Sequence, residues 1–305
     1  MSKPFDAKTK RSIRVALARV AYARGQVRVA DPDIAGFSWL VASPQGVFAV
    51  GLNGVKQVIH GWFFGIIRHG DMLFLFENCG MRDLSVTMGR VIRLRLRDGQ
   101  LTEPEVLATG LHNNCHQLAL IDGFLCVVDT ANQTILRFTP SGEAVDVKRP
   151  FPPALPNDTS GAYLHLNALA KVGDRIALML HNGKALPEKP SELAWFDRDW
   201  NLLSRQPLQG HSCHDIVADK HGVLWHTDSM AGDLIGSDGT RIDVTNELMT
   251  RAIAFRGEHV LVGMSTFGPR HLRDNLRGAV VIFDRAFNRV AQIELRGAPT
   301  DAIAL

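Results

Sequence analysis

Six times along the chain, at intervals of 52, 51, 47, 37 and 50 residues, a polar or bulky residue opens a short run that closes on two apolar positions. The runs are Phe64-Gly-Ile-Ile, His116-Gln-Leu-Ala, Asn167-Ala-Leu-Ala, His214-Asp-Ile-Val, Arg251-Ala-Ile-Ala and Asp301-Ala-Ile-Ala. After each but the last comes a tight turn and a second apolar run, 73–77, 125–129, 176–180, 224–228 and 260–264, the pattern of a hairpin of buried strands. Outer strands ending in polar turns follow, as in Leu94-Arg-Leu-Arg-Asp-Gly and Leu136-Arg-Phe-Thr-Pro-Ser-Gly. Four strands per 40–50 residues with no intervening helix predict an all-β, six-bladed β-propeller. A two-helix solenoid has a similar period, but β-branched runs punctuated by Gly argue against helices.

The last phrase stops after one strand, whereas residues 37–59 supply about three strands before the first full unit. Together they make one blade. The C-terminal strand is therefore expected to pair with the N-terminal strands, closing the ring and removing exposed sheet edges. Length alone leaves one or two domains open; the repeat assigns 29–305 to a single propeller and 1–28 to a basic helical extension.

That extension dominates the charge. Residues 1–28 hold eight Lys/Arg against Asp6, a local +7 in a chain of net +3, so the remainder stands at −4. A mildly acidic body without a basic, aromatic-interleaved stripe predicts no nucleic-acid partner. Residues 8–24 read as an amphipathic helix with Ile13, Leu17, Val20 and Ala21 on one face, expected to lie over the propeller, with a membrane-surface anchor as the alternative. No window is apolar enough to span a bilayer, and Arg19 interrupts the only signal-like stretch, so a cytoplasmic location is expected. Cys79, Cys115, Cys126 and Cys213 are too few and scattered for a disulfide framework and are expected to be free thiols.

In a propeller the first strand of each blade lines the channel, so the opening residues of the phrases should form a ring at its mouth: Phe64, His116, Asn167, His214, Arg251 and Asp301, with Trp62 and His165 nearby. His116 and His214 hold the same repeat position, and His165 stands on the blade between them. Three imidazoles converging from consecutive blades are a candidate site for a divalent transition metal such as zinc, iron or copper, with Asp129 and Asp228 behind His116 and His214 to fix their tautomers. Arg251, a guanidinium in a channel, calls for an anionic partner, either Asp301 or a substrate carboxylate. The connections 79–90, 183–192 and 266–278 leave from the same face as candidate lids, the last bringing Arg270.

Residues 110–285 resemble a family of uncharacterised bacterial six-bladed propellers, through Leu164-His-Leu-Asn-Ala-Leu-Ala170, Thr250-Arg-Ala-Ile-Ala-Phe255 and Val262-Gly-Met-Ser265, with Ala168 and Ala252 where that pattern has glycine. Asp215-Ile-Val-Ala-Asp-Lys-His-Gly-Val-Leu-Trp225 is similar to a blade of the gluconolactonase and strictosidine-synthase propellers. The second resemblance implies a metal at the channel mouth, frequently calcium on Glu, Asn and Asp. Here Phe64 fills the first slot and only Asn167 has a counterpart, so calcium, which takes oxygen ligands, is not implied.

These readings predict a metal-dependent, hydrolase-type enzyme acting on a small acidic molecule. His116, His165 and His214 would be metal ligands. Asn167, Phe64, Trp62, Arg251 and Arg270 would contact substrate, and His116, His214, Asp215 and Asp301 would move protons. A metal-independent lyase or epimerase with a His general base, and a non-catalytic binding propeller, are the alternatives. Oligomeric state is not encoded in any pattern found.

Overall fold

All six repeat phrases lie on the innermost strands of antiparallel sheets. A computed structural model describes residues 7–81, 83, 85–268 and 276–305. Blade 2 (Phe63–His69, Met72–Asn78, Gly89–Arg97, Gln100–Leu111) sets the pattern of four strands from the axis outward. Blades 3 to 6 repeat it, with inner strands Cys115–Ile121, Leu166–Val172, His214–Ala218 and Leu248–Arg256. Blade 1 is composite: Asp301–Ala304 is its inner strand and pairs antiparallel with Trp39–Ser43, Ala42 facing Asp301 and Trp39 facing Ala304. The ring therefore closes as the sequence predicts.

Strand periodicity explains why blades stack. Side chains on a strand alternate between faces, and in blade 2 Leu73 and Leu75 enter the apolar wedge shared with blade 1 while Phe74 and Phe76 enter the wedge shared with blade 3. Strands covered on both faces read as continuous apolar runs, which is why the second strand of each blade is so apolar. Six such wedges join the neighbouring pairs, and the one holding Trp39, Val41, Leu261 and Val280 seals blade 6 to blade 1. The four cysteines are free and buried.

The helix α1 (Ala7–Ala23) packs on blade 2 beside the channel mouth, but not by the expected face. Ala18 meets Trp62, Cys79 and Met81, with Val15 and Tyr22 packed beside it and Ala21 buried, whereas Ile13, Leu17 and Val20 are 42%, 49% and 47% exposed. Small side chains let the helix axis approach the Trp62 ring closely; the larger aliphatic row would hold it away. Its C-terminal end is fixed by Arg90, fully buried, which donates to the carbonyls of Ala21 (3.2 Å) and Gln26 (2.6 Å) and pairs with Glu77 Oε2 through Nε (2.9 Å) and Nη2 (2.6 Å). A guanidinium suits orphan helix-end carbonyls. It also holds a buried carboxylate whose pKa burial raises. No described helix is long and apolar enough to cross a membrane.

Candidate active site at the channel mouth

A break in hydrogen-bond register brings the site residues into the channel. On the inner strands of blades 2 to 6 the ladder to the second strand skips residues, for example between Leu166 and Leu169, His214 and Val217, and Thr250 and Ile253. The skipped residues include Phe64, His116, Gln117, Asn167, Asp215 and Arg251. Bulges release residues from the ladder and re-aim their side chains, and they concentrate near functional sites. One cavity of about 30 Å3, room for a water or two, is lined by Phe64, His116, Gln117, Asn167, His214, Asp215, Arg251 and Thr300.

Five of the six expected ring residues thus share one cavity; the sixth is displaced by one position. Thr300, not Asp301, holds the ring place on blade 1. Asp301 lies one layer deeper, where its Oδ2 accepts from Ile66 N (2.9 Å) of blade 2. Gln117 Oε1 accepts from Leu169 N of blade 4 (2.7 Å), and Asp215 Oδ2 from Ile253 N of blade 6 (2.8 Å), in the same way. The second layer therefore alternates: Asp301, Gln117 and Asp215 on blades 1, 3 and 5 reach to the next blade, whose own second-layer residue, Gly65, Ala168 or Ala252, is small enough to admit them. At Gly65 an added Cβ would sit 2.8 Å from Leu118 N and 2.9 Å from His116 O. The missing side chain at Gly65 thus lets the blade 3 backbone approach closely. The one-residue slip arose because the terminal strand offers a single phrase with no second run to fix its register.

Burial raises the pKa of both acids. Asp215, which also takes the Nε2–H of Gln117 (2.9 Å), is pushed up to about 6, and Asp301 goes well above the carboxylate range through burial and the charge of Asp215. Both serve as blade braces beneath the ring, a role their sequence assignment as proton acceptors did not include.

The imidazoles are oriented by hydroxyls rather than by the expected carboxylates. His116 Nδ1 lies 2.8 Å from Thr130 Oγ1, and His214 Nδ1 lies 2.7 Å from Ser229 Oγ and 2.8 Å from the Ser212 carbonyl. Each hydroxyl gives its one proton to a carbonyl of the next blade, Thr130 to Leu166 O and Ser229 to Thr250 O, both at 2.6 Å. A hydroxyl whose proton is committed can only accept from the ring. Both histidines therefore donate through Nδ1–H, and both carry their lone pair on Nε2. Burial and the nearby Arg251 charge hold His214 well below the ordinary imidazole pKa, so it is neutral at pH 7. Asp129 and Asp228 instead accept from loop groups, Asn132 N and Nδ2 in one case and Met230 N and Ala231 N in the other. The signal for the true partners was the residue after each acid, in Asp129-Thr130 and Asp228-Ser229.

His165 and the unassigned His181 complete a row. Ring centroids lie 5.2 Å apart for His116 and His165, 4.5 Å for His165 and His181, and 5.0 Å for His181 and His214. His181 Nδ1 accepts from Gly183 N (3.1 Å), which places its ring proton on Nε2, the reverse of His116 and His214. The expected metal ligands His116, His165 and His214 all lie in this row, and among the described residues no group of three or more His, Cys, Asp or Glu is already gathered around one point.

One further expectation changes. Trp62 is 3% exposed beneath α1, its ring 6.2 Å from that of Phe64, and it is not among the residues that line the cavity. Arg270 lies outside the described residues. Phe64 meets His116 edge-on at 5.3 Å and forms the apolar side of the mouth.

The comparisons with known proteins confirm a propeller. No family model matches the chain, and no curated protein does. Among solved structures it is similar to a chain of a nidogen/laminin complex (TM-score 0.63, 11% identity, covering 88% of this chain and 98% of that one). It is also similar to a protein of unknown function from Bacteroides caccae (TM-score 0.60, 11% identity, the same coverage). A "putative 6-phosphogluconolactonase" from Bacteroides fragilis follows (TM-score 0.54, 12% identity, 88% and 98% covered). Identity this low carries the fold alone. Propellers serve catalysis and binding alike.

Proposed function

We propose that the protein is an enzyme that takes a small carboxylate at the channel mouth and moves a proton beside that carboxylate, as a lyase or epimerase does. The reading rests on the two equivalent hydrogen-bond chains from Leu166 O to His116 and from Thr250 O to His214, which leave Nε2 of each neutral ring to take a proton at one cavity next to Arg251. A substrate carboxylate paired with Arg251 offsets the charge that holds the His214 pKa down and so strengthens that imidazole as a base. Arg251 presents a planar cationic fork to a carboxylate. Its charge stabilises electron density developing on the carbon that loses its proton. Asn167, on the blade between the two histidines, orients the substrate by hydrogen bonding. The cavity of about 30 Å3 takes only the anionic end, and the remainder of the molecule lies against Phe64 and the histidine row.

The test is exchange: a panel of hydroxy and sugar acids is incubated in D2O and deuterium at the carbon next to the carboxylate is followed by NMR. Incorporation that His214→Gln and Arg251→Ala each abolish supports the reading; exchange that survives both substitutions, or none across the panel, overturns it. A metal-dependent hydrolase is the second reading, favoured by the row of four imidazoles. Near-stoichiometric zinc, iron or copper in purified protein, lost in both His116→Ala and His214→Ala, would carry it.

A further inference from the structure

A cavity far larger than the one on the axis lies at the outside of the ring. It measures about 1080 Å3 and runs between α1, the outer part of blade 1 and the last strands of blade 6. Its apolar surface comes from Phe48, Leu295, Val55, Ile13 and Leu276. Phe48 and Leu295, only 4% and 3% exposed, form the floor, while Val55 and Ile13, 39% and 42% exposed, stand at the walls. Among the described residues around them are four cations, Lys10, Arg14, Arg277 and Arg296, against one carboxylate, Glu294, which pairs with Arg277 at 3.2 Å.

We propose that this groove binds a single-chain anionic amphiphile, a long-chain carboxylate whose chain lies along Phe48 and Leu295 and whose head is held by the cations of the rim. Its size is that of a small-molecule site, and an apolar bed with a few placed charges is the usual composition of one. Four positive side chains to one negative select an anionic head. A chain without internal polar groups matches the floor. A peptide backbone does not, because the uncharged polar lining is little more than Gln45 and Gln57, and Gln57 Nε2 already donates to the Gln45 carbonyl at 2.6 Å. The groove is concave, so a flat bilayer would rest on the rim and miss the floor. An inserted single chain reaches it.

The experiment titrates the full-length protein with sodium laurate below its micellar range, by calorimetry, beside dodecyltrimethylammonium, acetate and phosphatidylglycerol vesicles. Saturable one-to-one binding of laurate is expected, with acetate and the cationic detergent at least about tenfold weaker, a gap of about 1.4 kcal/mol. Lys10 and Arg296 are exposed, so a Lys10→Glu/Arg296→Glu variant should fold; it is expected to lose at least about tenfold in laurate affinity. Val55→Asp, placed in the wall, should do the same, and both are compared after circular dichroism matches wild type. His214→Gln, at the channel, should bind laurate as wild type does, separating this site from the axial one. Laurate affinity unchanged in both groove variants overturns the proposal, as do equal binding of the cationic detergent, adsorption to vesicles without laurate uptake, or no binding at all.

Discussion

Replacing Asp215 by Asn should change how stability depends on pH more than stability itself. The Asp215 carboxyl sits beneath the ring with a pKa of about 6, against 3.8 for an exposed aspartate. Between those values the folded protein keeps a proton that the unfolded chain has already released, so the folded state binds more protons and stability falls as pH rises. At about 1.36 kcal/mol per pH unit the whole gap amounts to about 3 kcal/mol, of which about 2.3 kcal/mol is lost between pH 4 and 6.5, with a plateau above. Asp301 acts in the same direction, because burial and the Asp215 charge raise it too. His214 and His226 act oppositely: their pKa values lie below 6.5, so their contribution is lost as pH falls. Those histidines are common to both proteins, so the difference curve isolates the Asp215 carboxyl together with its charge effect on Asp301. In Asp215→Asn the amide turns an N–H toward a donor, Ile216 N or Gln117 Nε2, which costs roughly 1–3 kcal/mol at every pH. That offset shifts the curve without tilting it. Urea midpoints at half-unit steps from pH 4 to 7, with m held common, give the difference. Wild type should lose about 2.4 kcal/mol across this range relative to the variant. Parallel curves would refute the argument, and with it the idea that the buried acid is protonated in the folded ring at mildly acid pH.

Other outcomes follow from single contacts. Thr130→Val leaves the Leu166 carbonyl without its donor and should destabilise by roughly 1–3 kcal/mol. The same variant should release the tautomer of His116, read as a mixed Nδ1/Nε2 protonation in long-range 1H–15N spectra, whereas in Ser229→Ala the Ser212 carbonyl still accepts from His214 Nδ1 and that ring should keep its single Nδ1–H form. Arg90→Ala strands Glu77 in the wall under α1 and should cost about 3–5 kcal/mol, and limited proteolysis should then cut within α1. Gly65→Ala drives a methyl against the backbone of His116 and Leu118 and should lower stability by roughly 1–3 kcal/mol, measured by chemical denaturation.

Much of the architecture was legible because a strand records its burial in its own sequence. A strand covered on both faces must be apolar throughout, so Leu73 to Phe76 or Val260 to Met264 announce themselves, and their spacing counts the blades. Five ring positions were legible for a related reason: each bulge opens an apolar strand with a residue that packing does not require. Thr300 was not, since its strand stands alone in the sequence and takes its register from Trp39–Ser43 at the other end of the chain. Nor was the packing face of α1. Ile13, Leu17 and Val20 form the stronger apolar row, yet the surface around Trp62 takes the face of Ala18, flanked by Val15 and Tyr22.

The sequence by itself determined six blades, their closure by the C-terminal strand and the kinds of residue at the channel mouth, because each follows from local patterning of strands. Tertiary structure alone decided what those residues do to one another. Whether an imidazole is oriented by Asp129 or by Thr130, and whether Asp301 faces the cavity or braces the next blade, depends on which carbonyls and N–H groups a neighbouring blade presents across the gap. Those partners are 36 to 235 residues away along the chain, and no local pattern records a hydrogen bond whose other half is supplied by the closing of a ring.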